Sequence, residues 1–374
     1  MDTAIVTTRM LEKDAIGNFT MASAAALRKL GKVSVYTFSY ERPPVDGVEV
    51  RLLGNRNGHG IDTNLQALLA TRRLAHELSK YDVLLVVNPD LGSMPAYHLA
   101  VRYNPNLKIM WTFHGLTPAP YMDTAKDRFL EGVRQWAYIR SMRRSGLVQV
   151  FSRSMKNEVT RWGVSQSKIA VMPLGVDLRR MANGNGRRVR DKYGIGDRFL
   201  LLYVGRLVNF KHADELVMAV SKVPSAALAI VGGGPERENL EKLAGQLSLD
   251  GRIFLAGMVP DGELPDYYAA CDAWTTASRH EGFCVPVIEA MAAGKPCIVP
   301  ELAAMPETAG DAGLTYPSGD IEGMAKKIRT LMDDKALYGR LAASAKARAP
   351  SFETSAVMER YVRMVEDFYR TSPS

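Results

Sequence analysis

The chain has 374 residues, room for two domains of ordinary size, and its 47% hydrophobic and 24% charged residues fit a soluble globular profile. No apolar run is long enough to cross a bilayer, and Met1 leads without a basic segment straight into a strand, so neither a membrane span nor a signal peptide is expected. The three cysteines, Cys271, Cys284 and Cys297, fit no zinc spacing and no disulfide framework; they read as buried reduced thiols of a cytoplasmic protein. The net charge of +8 is unevenly shared: residues 1–180 carry 25 basic and 15 acidic side chains, and residues 181–374 carry 23 and 25. A basic first half attracts an anionic partner, such as a membrane surface or a phosphorylated acceptor. Nucleic acid is discounted, because nothing resembles a module that binds it.

Thr3 to Thr7 reads as a short strand, Arg9 to Asn18 as a loop, Phe19 to Leu30 as a helix closed by Gly31, and Val33 to Phe38 as the next strand. This opening predicts a doubly wound parallel sheet. Gly17, at the turn into the helix, either lets backbone approach a phosphate or is a plain turn glycine. Val48 to Leu53 is a further strand, followed by a loop at Arg56 to Gly60, an amphipathic helix from Leu65 to Leu78 and a buried strand from Asp82 to Val87. The strand Leu107 to Phe113 ends in His114-Gly115. Polar residues just past the C-terminal end of a parallel strand lie on the ligand face, so His114 is either a donor to a sugar oxygen or a hydrogen-bonded loop histidine. The loop Leu116 to Tyr121 is expected to shape the acceptor side.

Asp123 to Arg144 reads as a long helix with an apolar stripe through Phe129, Val133, Trp136, Ala137 and Ile139. Lys126, Arg128, Arg134, Arg140, Arg143 and Arg144 make it basic. Such a helix either lies on an anionic membrane or packs on its sheet with a solvated charged face. The strand Leu147 to Phe151, the helix Ser152 to Trp162 and the strand Ile169 to Met172 complete this half. Residues 181–198 are rich in Gly, Asn and charge, which is linker chemistry, and the domain boundary is placed there.

Phe199 to Val204 is a buried strand that ends in Gly205-Arg206, with Lys211 close behind and a helix from Asp214 to Val220. Two cations on a strand-end loop suit a diphosphate, the guanidinium forking two oxygens and the ammonium adding a point charge; a solvated surface loop is the alternative. The strand Ala227 to Val231 leads to Gly232-Gly-Gly-Pro235, whose spacing is not a dinucleotide fingerprint. Ile253 to Leu255 leads to Gly257-Met258-Val259, and a helix from Leu264 to Cys271 precedes the strand Ala273 to Thr276. Gly313 to Tyr316 reads as an edge strand, and Met324 to Met332, Lys335 to Arg348 and Ser355 to Arg370 as helices.

Residues 281–300 read as a loop, a short buried helix and a strand. Pro286 suits the first helical turn, Gly294 the C′ position, and Pro296 blocks continuation. The N–H groups of Phe283, Cys284 and Val285 would then point out of the helix N-terminus as an anion cradle. Glu281 and Glu289 flank it, as suits sugars on either side of a phosphate; the alternative is a helix cap and a satisfied core acid.

The stretch from Ser278 to Gly294, with Glu281-Gly282-Phe283-Cys284-Val285-Pro286 and Glu289-Ala-Met-Ala-Ala-Gly294, resembles the signature of retaining nucleotide-sugar glycosyltransferases of family four, glycosyl transferases group 1. It departs from that signature at Cys284, where the family usually has Gly. The junction Met172-Pro-Leu-Gly-Val-Asp177 resembles the family's Pro-Asn-Gly-Val-Asp, and Gly205-Arg206-Leu207 with Lys211 resembles its Gly-Arg-Leu and Lys-Gly, with His212 in place of the glycine.

The resemblance implies an α/β protein of the GT-B fold, two Rossmann-like doubly wound domains facing across a cleft. Residues 1–180 would bind the acceptor, joined by the closing helix within 355–374, and residues 181–354 would bind the nucleotide sugar. It implies catalytic roles for Arg206, Lys211, Glu281 and His114, with the two cations on the departing diphosphate, Glu281 and His114 on the donor sugar and Glu289 on the ribose. Gly17, Gly205, Met258, Ser278, Gly282, Phe283, Cys284 and Val285 would line the donor. The implied reaction moves a sugar from a nucleoside-diphosphate-sugar to an acceptor hydroxyl with retention. The acceptor would be a glycan, lipid-linked or phosphorylated molecule, with no cofactor. The chain has no Asp-x-Asp motif, and Arg206 with Lys211 can replace a metal as charge partner, so metal independence is expected. Two other readings share these motifs: a GT-B sugar-nucleotide epimerase and a non-catalytic nucleotide-sugar-binding paralogue.

Overall fold

The computed structural model describes residues 1–10, 15–41, 45–53, 68–116 and 124–371. It divides into two compact units, residues 1–175 with 355–374, and residues 176–354. The loops expected at Arg56 to Gly60 and over most of Leu116 to Tyr121 lie outside the described residues, as does the start of the helix expected from Leu65.

The first unit is built on β1 (Thr3–Val6), β3 (Val33–Thr37), β5 (Val48–Leu52), β6 (Val83–Val87), β7 (Lys108–Thr112), β8 (Leu147–Val150) and β9 (Ile169–Val171), with a separate short pair β2 (Arg9–Met10) and β4 (Ser39–Tyr40). The seven-stranded sheet runs β5-β3-β1-β6-β7-β8-β9. Every pairing is parallel, with Ile5 opposite both Val35 and Leu85 at the centre. Parallel strands covered on both faces need apolar side chains on both, and every residue of β6 is fully buried. The helices described in this unit, besides the closing one, are α1 (Ala15–Leu27), α2 (Thr71–Leu78), α3 (Met94–Tyr103), α4 (Ala125–Arg144) and α5 (Arg153–Arg161).

Gly17 is buried on the first turn of α1 and not in the turn ahead of it, because the helix begins four residues earlier than the apolar pattern suggested. The closing helix Thr354–Thr371 runs back over this unit, where Tyr361 meets Phe19 edge-on at 5.6 Å and Lys108 Nζ donates to the Tyr369 carbonyl at 2.5 Å. Gly146 has no room for a side chain there, since a Cβ would sit 2.7 Å from the Phe368 ring.

The second unit has β10 (Phe199–Val204), β11 (Ala226–Val231), β12 (Ile253–Gly257), β13 (Ala273–Thr275), β14 (Cys297–Pro300) and β15 (Gly313–Tyr316), in the parallel order β12-β11-β10-β13-β14-β15. Its helices are α6 (Leu178–Ala182), α7 (Gly186–Tyr193), α8 (Ala213–Ser221), α9 (Arg237–Gln246), α10 (Leu264–Ala270), α11 (Val285–Ala292), α12 (Met305–Ala309), α13 (Ile321–Asp333) and α14 (Lys335–Arg348). Leu201, Leu216, Leu228, Ile230, Ile298 and Ile328 meet in one core; burying each such side chain contributes about 1.5–3 kcal/mol.

Residues 181–198 are not a linker. They hold α7, which packs on α10, and their glycines are there for close approach: a Cβ at Gly184 would lie 2.0 Å from the Pro265 carbonyl, and one at Gly186 2.6 Å from the backbone at Ala269 and Ala270. The Asp266 carboxylate accepts from the Asn185 N–H at 2.6 Å, and Arg190 donates to Asp272 at 2.8 Å. The three cysteines are free and buried. Among the described residues no helix is long and apolar enough to cross a membrane.

Candidate active site

In the second unit β10 ends at Val204 and the chain turns at Gly205. The Tyr203 hydroxyl occupies the space beside Gly205, where a Cβ would come within 2.8 Å of it, and donates to the Arg206 carbonyl at 3.1 Å. Gly232 and Gly234 press on the same turn: Cβ atoms there would lie 1.9 Å from the Gly205 carbonyl and 2.2 Å from that of Leu207. The glycine run after β11 thus shapes the turn that presents Arg206. The Arg206 side chain is exposed and makes no hydrogen bond or ion pair with the described residues. A tight 3-10 turn, Asn209–Lys211, follows.

The second contributor is the loop between β13 and α11. Its link to the first is direct: Lys211 Nζ donates to Glu281 Oε1 at 2.5 Å, with both side chains more than four-fifths buried. Further bonds fix the loop. The Arg279 N–H donates to the Phe210 carbonyl at 2.8 Å, and its guanidinium pairs with the buried Glu215 carboxylate and reaches Ser318 Oγ at 2.7 Å. The Tyr316 hydroxyl donates to the Thr276 carbonyl at 2.8 Å, and Thr308 to that of Phe283 at 2.7 Å. Ser278 is fully buried, and its hydroxyl donates to the His280 carbonyl at 3.1 Å.

The helix α11 begins one residue after Cys284, which caps it in a left-handed conformation with φ +70°. His212 has φ +46°. Both positions are glycine in the resembled signature, and the backbone gives the reason: a Cβ in this region costs about 1–2 kcal/mol. The N–H groups of Phe283, Cys284 and Val285 stand ahead of the first intrahelical bond, and no acceptor among the described residues pairs with them. Phe283 itself is buried against the Phe352 ring at 5.8 Å, next to Gly282. Glu289 lies one turn into α11, where Tyr268 donates to its Oε2 at 2.6 Å. Burial pushes the Glu289 carboxyl above its usual range, opposed by the Tyr268 bond and the positive charge of Arg180. Gly294 sits just past the helix at φ +71°, in the C′ role its sequence position suggested. Met258, on the turn after β12, is 86% exposed.

The second unit therefore carries Arg206, Lys211, Gly205, Met258, Ser278, Glu281, Gly282, Phe283, Cys284, Val285 and Glu289 on adjoining strand-end loops and one helix. Tyr268, Arg279 and Glu215 were not singled out from the sequence. Their contacts span 21 and 64 residues, and no local pattern marks such pairs. Among the described residues no cluster of three or more His, Cys, Asp or Glu side chains is placed to hold a metal ion.

His114 and Gly17 belong to the first unit. His114 sits just past β7 between the rings of Phe19 and Phe151, at 5.7 and 4.9 Å, and its buried Nε2 has no partner among the described residues. Burial lowers its pKa from 6.5 to about 3, so it stays neutral at physiological pH.

Residues 16–180 match the family model Glycosyltransferase Family 4, and residues 186–348 match Glycosyl transferases group 1. The chain belongs to this glycosyltransferase family. Curated relatives include a GDP-mannose-dependent alpha-(1-6)-phosphatidylinositol monomannoside mannosyltransferase of Mycolicibacterium smegmatis, 33% identical over 44% of this chain and 47% of its own length. Another is a sulfoquinovosyl transferase of Arabidopsis thaliana, 24% identical over 83% of this chain and 62% of its own. The chain spans about half to three-fifths of the length of these relatives. Among solved structures, sucrose-phosphate synthase from Thermosynechococcus elongatus superposes with TM-score 0.81 at 20% identity over 100% of both chains. Anabaena HepE in complex with UDP does so with TM-score 0.78 at 17% identity over 98% of this chain and 100% of that one. These likenesses show that the family member described here has the GT-B fold.

The buried neutral His114 has a consequence for stability. Its folded pKa lies below its unfolded one, so as pH falls through 6.5 toward 3 the unfolded chain takes up a proton that the native site refuses, and stability is lost. From about pH 7 to about pH 5 this one group costs about 2 kcal/mol. His114→Phe, which suits the surrounding rings, should therefore lose less melting temperature over that range than the wild type. Equal losses would contradict a buried neutral imidazole.

Proposed function

We propose that the chain is a retaining glycosyltransferase that moves a sugar from a nucleoside-diphosphate-sugar donor, bound by the second unit, to an acceptor hydroxyl. The observation that carries this reading is the meeting, at the strand ends of that unit, of the unpaired Arg206, the Lys211–Glu281 pair and the open N-terminal end of α11. A diphosphate supplies the anion these groups lack. Arg206 forks two oxygens, the N–H groups of Phe283 to Val285 add donors, and Lys211 has two ammonium protons left after Glu281 takes one. Glu289 offers its free oxygen to a ribose hydroxyl, held in place by Tyr268. Met258, Gly257 and the glycine turn lie where a base would be held largely by backbone.

As the sugar–phosphate bond breaks, negative charge grows on the leaving diphosphate, and these fixed donors stabilise that charge more than the ground state. The leaving diphosphate takes the acceptor's proton on the same face, which retains configuration without an enzyme nucleophile. His114, neutral, is assigned to hydrogen bonding and not to proton transfer. The cation pair serves as charge partner in place of a metal. Steady-state turnover measured in excess EDTA should equal that without it. Arg206→Ala should lower turnover by about a hundred- to a thousandfold. Abolition by EDTA, or full activity in the variant, would overturn this assignment.

For the acceptor side the supporting feature is α4. The apolar stripe read from its sequence does not face the sheet: Tyr138, Ser141 and Met142 do, while Phe129 and Trp136 are 71% and 63% exposed, with Leu130 and Val133 beside them. Basic side chains accompany them, and the Arg140 guanidinium lies 5.7 Å from the Trp136 ring centre. Aromatic and aliphatic groups among cations fit an anionic lipid surface, which would bring the protein to lipid-linked acceptors. In flotation at low salt the protein should rise with vesicles containing phosphatidylglycerol and not with phosphatidylcholine alone, and Phe129→Ser with Trp136→Ser should abolish this. No binding to either vesicle would remove the membrane from the account.

A further inference from the structure

A polar cavity lies in the first unit. It has a volume of roughly 320 Å³ between α3, β7 and the end of α4, and is lined by Tyr97, His98, Arg102, Trp111, Ser141 and Arg144 among others. Its β7 lining residues are Ile109 and Trp111, whereas His114 lies past the end of that strand and does not line it. None of its lining residues is acidic.

Two features point to an anion. Arg102 and Arg144 both stand at its wall, and neither makes a hydrogen bond or ion pair with the described residues. The Trp111 side chain is 1% exposed and forms part of the wall, so its indole signal reports on an occupant. Second, His98 Nε2 and Ser141 Oγ lie 3.2 Å apart, and burial together with the charges of Arg144 and Arg140 lowers the His98 pKa. One of this pair bonds the other and the pair still holds a hydroxyl oxygen and a ring nitrogen for hydrogen bonding. The Tyr97 hydroxyl, by contrast, is satisfied by Ser93 at 2.5 Å, so Tyr97, Val101 and Ile109 give the cavity an apolar wall. Two cations, a polar His–Ser pair and an apolar wall suit a phosphate group carried on an organic body.

We infer that the cavity between α3, β7 and α4 is a binding site for a phosphate monoester, separate from the donor site. Arg102 and Arg144 hold the phosphate, and the apolar wall, of which the Trp111 ring is part, takes the organic part. The ligand chemistry comes from either a soluble phosphorylated molecule or the headgroup of a lipid.

The test uses the full chain labelled with ¹⁵N at its four tryptophans, with the Trp111 indole signal assigned from Trp111→Phe. Phenyl phosphate should shift that signal saturably, and phenol should not. Arg102→Gln with Arg144→Gln should weaken the effect by about tenfold or more, the ratio that matches one charge-assisted hydrogen bond. Flotation with phosphatidylcholine vesicles containing phosphatidic acid then separates the sources. Weaker flotation of the double variant assigns the site to a lipid headgroup, and unchanged flotation with weakened phenyl phosphate binding assigns it to a soluble ester. An unmoved Trp111 signal, or an equal shift in the double variant, would overturn the inference. Both arginines are exposed and unpaired, so the double variant should fold. Because no nucleotide sugar takes part, failure here leaves the glycosyl-transfer reading untouched.

Discussion

The second unit is organised around the ion pair between Lys211 and Glu281. Its members come from loops 70 residues apart, one after β10 and one after β13. A pair this well shielded from water is costly to break, about 3–5 kcal/mol when one partner is removed, because the other charge is left stranded. The pair therefore fixes how the two loops meet, and the Arg279–Glu215 contact beneath it fixes the same register a second time. Glu281 takes one of the three ammonium protons of Lys211 and leaves two for the diphosphate proposed to bind there.

The surrounding backbone is built to the same end at some cost. Cys284 and His212 hold left-handed conformations where glycine would sit without strain, and each is adjacent to a group assigned to the diphosphate. Gly205, Gly232 and Gly234 show the complementary case, close approach of backbone to backbone that no Cβ permits. Strain and close contact thus both occur at the turn that carries Arg206 and the cap that opens α11, as close contact also does at Gly184 and Gly186.

Much of this was legible in the sequence, for physical reasons that can be named. The strands β10, β11 and β14 are continuous apolar runs because both faces are covered, and Pro286 and Gly294 bracket α11 as helix-end chemistry requires. Other elements were not. The helix α9 went unread because Ser248, at φ +53°, closes it in the place of a glycine. The helix α3 followed an Asn-Pro-Asp-Leu-Gly-Ser stretch that reads as a loop, and its proline lies in the first turn, where it is tolerated. The glycines near 184 looked like linker composition but answer to a neighbour 80 residues away. The neutrality of His114 and the hold of Tyr268 on Glu289 likewise arise from non-local packing, which no spacing rule exposes.

The central claim is that the groups gathered at the strand ends of the second unit bind a nucleoside-diphosphate sugar. The most direct measurement is a thermal-shift panel of UDP-, GDP-, ADP-, dTDP- and CMP-sugars on the wild type and on Glu289→Ala. The account predicts that one donor raises the melting temperature of the wild type and loses most of that effect in the variant. A panel without any shift, or a shift of equal size in Glu289→Ala, would contradict it.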